Sequence, residues 1–148
     1  MNRDRAAVIL LVEDTRLDIE LTLDAFRERR LDNNIRVAAG GQQSLDYLLG
    51  RGVFADRDAH PLPDLILLDL KMPVVDGHEV LRQIKQVERL KRIPVVVLSS
   101  SKEEGDRAMS YDNGANSYLV KPVSFEGFLD VVQQLDNYWL TLNVPPPL

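Results

Sequence analysis

The stretch LILLDLKMPVVDG, Leu65 to Gly77, joins an apolar run to an acidic side chain. The four residues from Leu65 to Leu68 do not alternate with polar ones, which is typical of a strand covered on both faces. Asp69 follows directly, and Lys71 is the one basic residue of the stretch. A carboxylate at the end of a buried strand needs an explanation, and the remainder of the chain suggests one.

Length and composition limit the possible classes of protein. The 148 residues suit one domain, with a core over about 6–135, an extended C-terminal helix with a proline-rich tail over 136–148, and no output domain. The net charge of -5 argues against nucleic acid as a partner, and the absence of cysteine excludes disulfides and thiolate metal sites. The apolar run Ala6–Val12 is too short to cross a bilayer, so we expect a cytoplasmic protein with no membrane partner.

Five apolar runs alternate with five helical patterns. The strands are predicted at Ala6–Val12, Ile35–Ala39, Leu65–Leu68, Pro94–Leu98 and Ser117–Val120. The helices are predicted from a cap at Asp14 or Thr15, over Ser44–Leu49, from Asp76-Gly77 to Leu90, over Lys102–Asp112, and from Phe125 past Trp139. The alternation predicts an α/β doubly wound fold, with a parallel sheet and helices on both faces. The segment Gly50–Pro63 is expected to be a surface loop.

Acidic residues follow two of these strands. Glu13 and Asp14 come after the first strand and Asp69 after the third, and parallel sheets bind ligands beyond the carboxyl ends of their strands. Each acid alone has a simple explanation as a helix cap, a first-turn acid or a loop residue. Three carboxylates in one cleft repel one another unless a cation enters, and hard oxygen ligands suit Mg²⁺. We expect the backbone carbonyl of Lys71 to complete the site.

Ser99 and Lys121 add a hydroxyl and a positive charge to the same edge, after the fourth and fifth strands. The Lys121–Pro122 peptide bond can be cis, which would direct the lysine inward. Together with the acids, these residues suggest phosphoryl transfer, where catalysis is mainly positioning and charge neutralisation. Asp69 would be the nucleophile that forms an acyl phosphate.

Four short motifs carry a resemblance to a known family. They are VEDT at Val12–Thr15, LLDLKMPVVDG at Leu67–Gly77, VVVLSSS at Val95–Ser101 and YLVKP at Tyr118–Pro122. The chain resembles, from Val8 to about Leu135, the receiver domain of two-component response regulators of the single-domain type. The resemblance implies a flavodoxin-like (βα)5 fold with strand order 2-1-3-4-5.

The resemblance also implies a role for each matching residue. Asp69 would accept a phosphoryl group from a phosphohistidine on a sensor histidine kinase, and Lys121 would contact the phosphoryl oxygens. Ser99 and Tyr118 would form the conformational switch, with Tyr118 turning inward as Ser99 moves toward the phosphate. The implied Mg²⁺ ligands are Glu13, Asp14, Asp69 and the carbonyl of Lys71. Such a protein is no enzyme beyond its own phosphorylation and dephosphorylation.

His60 and His78 match no site of the family, and we expect both to be exposed to solvent. The long loop before the third strand and the extended C-terminus are similar to single-domain regulators paired with bacterial phytochromes. A surplus of apolar residues near the end, including Val131, Tyr138 and Leu142, suggests a homodimer. Its interface would be the face of the fourth helix, fifth strand and fifth helix, or the C-terminal extension. The output would be a downstream protein target, or alternatively a phosphorelay partner or a phosphate sink.

Three other functions compete with this interpretation. A flavin mononucleotide-binding module would need a Gly-, Ser- or Thr-rich loop after the first strand, where this chain has Glu13-Asp14. A phosphohydrolase resembling the haloacid dehalogenases would carry a second acid two residues after Asp69, where this chain has Lys71. A receiver-like domain that is never phosphorylated would not need the full set of acids with Ser99 and Lys121.

Overall fold

The computed structural model describes residues 7–31 and 34–147. Its strands are β1 (Ile9–Val12), β2 (Ile35–Ala38), β3 (Leu65–Leu68), β4 (Val95–Ser99) and β5 (Ser117–Val120). They form one parallel sheet in the order β2-β1-β3-β4-β5, which confirms the expected order. Ala6, where the first strand was predicted to begin, lies outside the described residues.

Five α-helices connect the strands and follow the last one. They are α1 (Arg16–Glu28), α2 (Gly41–Leu49), α3 (Gly77–Ile84), α4 (Glu104–Asp112) and α5 (Phe125–Asn137). A short 3₁₀ helix (Gly52–Phe54) lies in the loop before β3, and a π-helix (Tyr138–Leu142) extends α5. None of the helices in the described ranges has the length and apolar character needed to cross a membrane.

The sheet separates two apolar clusters, which explains why its strands read as continuous apolar runs. Leu10 and Ile66 belong to the cluster that includes the buried side chains of α2 and α3. Ile9 and Leu65, their neighbours in sequence, belong to the cluster with Phe26 of α1 and buried residues of α5. Because successive residues of a strand point to opposite faces, both faces must be apolar here.

The third helix ends earlier than its apolar pattern predicts. The spacing suggested a helix to Leu90, but α3 ends at Ile84 and the chain continues in tighter turns, in which Val87 N–H donates to the Ile84 carbonyl. The Lys85 amine donates to the carbonyls of Lys91 and Ile93, at 3.0 Å each, and holds these turns in place. Leu90 is fully buried, so the pattern identified a core residue but assigned it to the wrong backbone conformation.

The C-terminal segment continues the path of α5. Trp139 is half-buried against the cluster formed by α1 and α5, and its ring contacts that of Tyr138 edge to face at 5.1 Å. Tyr138 and Leu142 are exposed, whereas Val131 packs on the same cluster. Of the three surplus apolar residues that suggest a homodimer, Tyr138 and Leu142 therefore remain accessible.

Candidate functional site

Strand register brings the three acids together. β1 and β3 are neighbours with Val12 opposite Leu68, so Glu13 and Asp69 leave the sheet side by side. One carboxylate oxygen from each of Glu13, Asp14 and Asp69 lies within 4.8 Å of the other two. Glu13 and Asp69 are almost fully buried, at 3% and 4% exposure. The structure thus assembles the predicted group of acids at the carboxyl edge of the sheet.

Glu13 is held by both of its carboxylate oxygens. Oε1 accepts hydrogen bonds from the backbone N–H groups of Asp14 and Thr15, at 3.1 Å each. Oε2 accepts from the Lys121 amine at 2.7 Å. Thr15 is the N-cap residue of α1 but its side chain makes no capping bond, so the Glu13 carboxylate satisfies amides at this helix start instead.

Lys121 enters the acidic group from the end of β5. Its amine lies 2.9 Å from Asp18 Oδ2 and 3.5 Å from Asp69 Oδ1, in addition to its bond with Glu13. The side chain is 9% exposed. The described residues contain no cis peptide bond, so the suggested cis Lys121–Pro122 bond is wrong, and the lysine points inward on a trans backbone.

Asp18 is a site residue that the sequence analysis did not identify. It lies in the first turn of α1, four residues after Asp14, and the helical period brings it back to the same edge. The available signal was this spacing, but an acid in a first helical turn also has a common explanation in the helix dipole.

The site holds more negative than positive charge. Burial, followed by the neighbouring Glu13 carboxylate, raises the pKa of Asp69 to about 6, although Lys121 acts in the opposite direction. Burial lowers the pKa of Lys121, but its bonds to Glu13 and Asp18 outweigh that effect and raise it overall. Four carboxyl groups therefore share one ammonium group, which favours the entry of a further cation.

The donor atoms fit a divalent cation. Asp14 Oδ1 is buried and has no hydrogen-bond partner, so an acceptor stands unsatisfied beside the oxygens of Glu13 and Asp69. An all-oxygen group with space for water ligands suits Mg²⁺, which binds through one or two carboxylates and keeps several waters. The side chain of Lys71 is 61% exposed and extends toward Asp106, so only its carbonyl is a possible ligand.

The loop after Asp69 packs closely on the strand end. A Cβ atom at Gly77 would lie 2.3 Å from the Asp69 carbonyl oxygen, so α3 can begin here only with glycine. Gly77 N–H donates to the Leu70 carbonyl, and Asp76 caps α3 by accepting from Glu79 N–H at 2.9 Å. This close packing fixes the backbone that carries Asp69.

Ser99 and Tyr118 meet through a third residue, Ser101. Ser99 is fully buried at the end of β4, and its Oγ accepts from Ser101 N–H at 3.2 Å. The Tyr118 hydroxyl donates to the Ser101 carbonyl at 3.0 Å, and its ring packs on the core cluster of α2 and α3. The predicted switch residues are thus linked by one loop, with Tyr118 oriented inward.

The two histidines are not the exposed residues that we expected. His60 packs against the rings of Tyr47 and Phe54, with centroids 5.8 and 5.1 Å away. His78 is 16% exposed and its Nε2 lies 3.1 Å from Asp106 Oδ1. The expectation of exposure was wrong because the loop before β3 packs around His60 and because α3 packs on α4 around His78.

Comparison with known proteins gives a consistent result. The family model of the response regulator receiver domain matches residues 9–133. The probable methanogenesis regulatory protein FilR2 of Methanothrix harundinacea is 43% identical over 139 residues, which cover 94% of this chain and 87% of that protein. The response regulator Rcp1 of Synechocystis is 39% identical over 139 residues, covering 93% and 92%.

Solved structures of such regulators also superpose on this chain. The phosphorylated cyanobacterial phytochrome response regulator RcpA has a TM-score of 0.89 and 37% identity, with 97% of this chain and 100% of that chain covered. The Mn²⁺-bound form of Rcp1 has a TM-score of 0.84 and 38% identity, with 95% and 99% covered.

Proposed function

Because the chain belongs to the family of response regulator receiver domains, we propose that Asp69 is its phosphoryl acceptor and a sensor histidine kinase its donor. The observation that carries this proposal is the group formed by Glu13, Asp14 and Asp69, with Lys121 beside it. A buried carboxylate among other acids is electrostatically unfavourable, and such arrangements concentrate at functional sites.

The proposed reaction is a transfer between two side chains. An Asp69 carboxylate oxygen attacks the phosphorus of the donor phosphohistidine, the new P–O bond forms as the P–N bond breaks, and the electron pair remains on the imidazole nitrogen. Glu13, Asp14, Asp69 and the Lys71 carbonyl would hold Mg²⁺, which supplies positive charge against the phosphoryl oxygens. The acyl phosphate product is later hydrolysed, so the protein catalyses only its own modification.

Lys121 and the Ser99–Tyr118 pair respond to the transferred group. The Lys121 amine lies 3.5 Å from Asp69, close enough to contact an oxygen of a phosphoryl group attached there. Ser99 would redirect its hydroxyl to another phosphoryl oxygen, which withdraws the acceptor of the Ser101 N–H bond. The change would favour the inward position of Tyr118, which the Ser101 carbonyl holds, and so alter the surface offered to a downstream protein.

The finer assignments of partner remain proposals. The similarity to the phytochrome response regulator RcpA supports a phytochrome as the donor kinase. We also propose a cytoplasmic location, with a phosphorelay or phosphate-sink role as the alternative. A homodimer is supported by exposed apolar side chains on α4, β5 and α5 and on the π-helix. They are Met109, Tyr111, Val120, Phe125, Tyr138 and Leu142. The single-domain organisation is likewise a prediction.

Phosphorylation in the presence of acetyl phosphate and Mg²⁺ tests the acceptor. The wild type should become singly labelled on phosphate-affinity electrophoresis, and Asp69→Asn should lose the label completely while remaining folded. Asp64→Asn is the matched control, because Asp64 stands at the other end of β3 and bonds to backbone there. Full labelling of Asp69→Asn would place the acceptor elsewhere, and equal loss in both variants would show a nonspecific effect.

A further inference from the structure

Asp106 connects the α4 helix to three other parts of the molecule. Its Oδ2 accepts from the Ser101 hydroxyl at 2.6 Å and lies 3.3 Å from the Lys71 amine. Its Oδ1 lies 3.1 Å from His78 Nε2. The side chain is 16% exposed. One carboxylate thus joins α4 to the loop after β4, to the loop after β3 and to the first turn of α3.

The Asp106 carboxylate is the acceptor that its three neighbours share. The Ser101 hydroxyl, the Lys71 amine and His78 Nε2 all face the two carboxylate oxygens of Asp106. A carboxylate only accepts hydrogen bonds, so each of these groups can pair with it only as a donor. The network is therefore one acceptor with three donors, and a neutral residue of similar shape cannot satisfy all of them.

Ser101 transmits the position of Asp106 to both switch residues. Its N–H donates to Ser99 Oγ, its carbonyl accepts from the Tyr118 hydroxyl, and its own hydroxyl donates to Asp106. If Ser101 moves, the bonds to Ser99 and Tyr118 are lost together. Asp106 touches neither Ser99 nor Tyr118 and acts on them only through this loop.

We propose that Asp106 is a positioning residue for the switch, which holds Ser101 where its carbonyl keeps Tyr118 inward. This inference rests on the proposed function for its consequence in signalling, but not for its structural content. The inward arrangement of Tyr118 is the conformation that Asp106 stabilises. Loss of the carboxylate lowers the population of this arrangement, and any ligand of Asp69 that requires it then binds with reduced apparent affinity.

The first test measures Tyr118 directly in the unphosphorylated, metal-free full chain. Tyrosine ring ¹H–¹³C spectra, assigned with Tyr118→Phe, should show a shifted or exchange-broadened Tyr118 signal in Asp106→Ala. Glu104→Ala is the matched control, because it removes another first-turn acid of α4 whose contact with Arg107, at 3.8 Å, lies outside the network. Tyr118 signals in Asp106→Ala identical to those of the wild type and of Glu104→Ala would overturn the proposal.

Ser101 provides an independent test that leaves α4 intact. Ser101→Ala should reproduce the Tyr118 change, and Ser101→Thr, which keeps the hydroxyl, should restore the wild-type signal. A wild-type Tyr118 signal in Ser101→Ala would contradict the proposal even if Asp106→Ala did not fold.

A second measurement connects the network to signalling. The midpoint for saturation by beryllofluoride with Mg²⁺ should rise roughly five- to tenfold in Asp106→Ala, within the usual range of coupling between sites, and stay unchanged in Glu104→Ala. An unchanged midpoint in Asp106→Ala would remove the role in switching. If wild-type protein bound no beryllofluoride, the proposed function would fail, whereas the Tyr118 spectra would still decide the role of Asp106.

Discussion

Asp64 and Asp69 flank the same strand, β3, but lie in different surroundings. Asp64, before β3, is partly exposed, and its Oδ2 accepts from Val8 N–H at 2.8 Å. Asp69, after β3, is buried beside Glu13 and Asp14. The Asp64 carboxylate joins the residue before β3 to the residue before β1, whereas Asp69 is kept next to other acids at an electrostatic cost. An unfavourable placement of a buried carboxylate beside other acids, kept in the folded protein, indicates a functional role for Asp69.

The largest expected difference between the two aspartates is in the pH dependence of stability. Folding raises the pKa of Asp69 from 3.8 to about 6, so the folded state binds more protons than the unfolded state between these values. The unfolding free energy of metal-free protein should therefore fall as pH rises through this window, by about 3 kcal/mol in the contribution of Asp69.

Denaturant unfolding in EDTA can isolate that contribution. The stability of Asp69→Asn minus that of the wild type should increase by most of this amount from pH 4 to pH 7. A flat difference for Asp69→Asn would mean that the carboxylate is not disfavoured in the folded protein.

A smaller effect is expected on metal affinity when a member of the acidic group is removed. Asp14→Ala deletes the unsatisfied buried oxygen and should weaken Mg²⁺ binding by at least about tenfold, since even indirect changes around metal ligands cost that much. Isothermal titration with Mg²⁺ measures the constant, and Asp130→Ala, an exposed acid of α5, is the control. An unaltered affinity in Asp14→Ala would refute this ligand assignment.

The smallest effect is expected when the cation of the site is removed. Lys121 competes with Mg²⁺ for the Glu13 and Asp69 carboxylates. The Mg²⁺ affinity of Lys121→Ala should therefore equal that of the wild type or exceed it by up to about threefold. Its NMR response to beryllofluoride should nevertheless be strongly reduced. Exposed Lys102 replaced by alanine should change neither quantity. A normal beryllofluoride response in Lys121→Ala would contradict the role given to the lysine.

The fold could be predicted because strands that are buried on both faces appear in the sequence as continuous runs of apolar residues. β1, β3 and β4 are continuous apolar runs, and residues at their ends fall on one edge whatever the details of the helices. The positions of Glu13, Asp14 and Asp69 follow from that topology alone. The end of α3 did not follow, because a buried Leu90 is compatible with a helix or with the tight turns held by Lys85.

Contacts between helices were not predictable in the same way. Asp18 and Asp106 lie in first helical turns, where an acid is expected for local reasons, and nothing in the sequence shows which of them reaches a distant cation. The contact of His78 with Asp106 of α4 depends on how α3 packs on α4. Such pairings depend on tertiary geometry, which residue spacing does not contain.

The alignment of Val12 with Leu68 across neighbouring strands has a consequence for how the chain can vary. Because side chains alternate along a strand, a single inserted or deleted residue within β1 would turn Glu13 away and bring its neighbour into its place. Surface loops such as the segment before β3 can change in length at small cost. Glu13 and Asp69 directly follow their strands, so insertions at that edge of the molecule should be tolerated much less well.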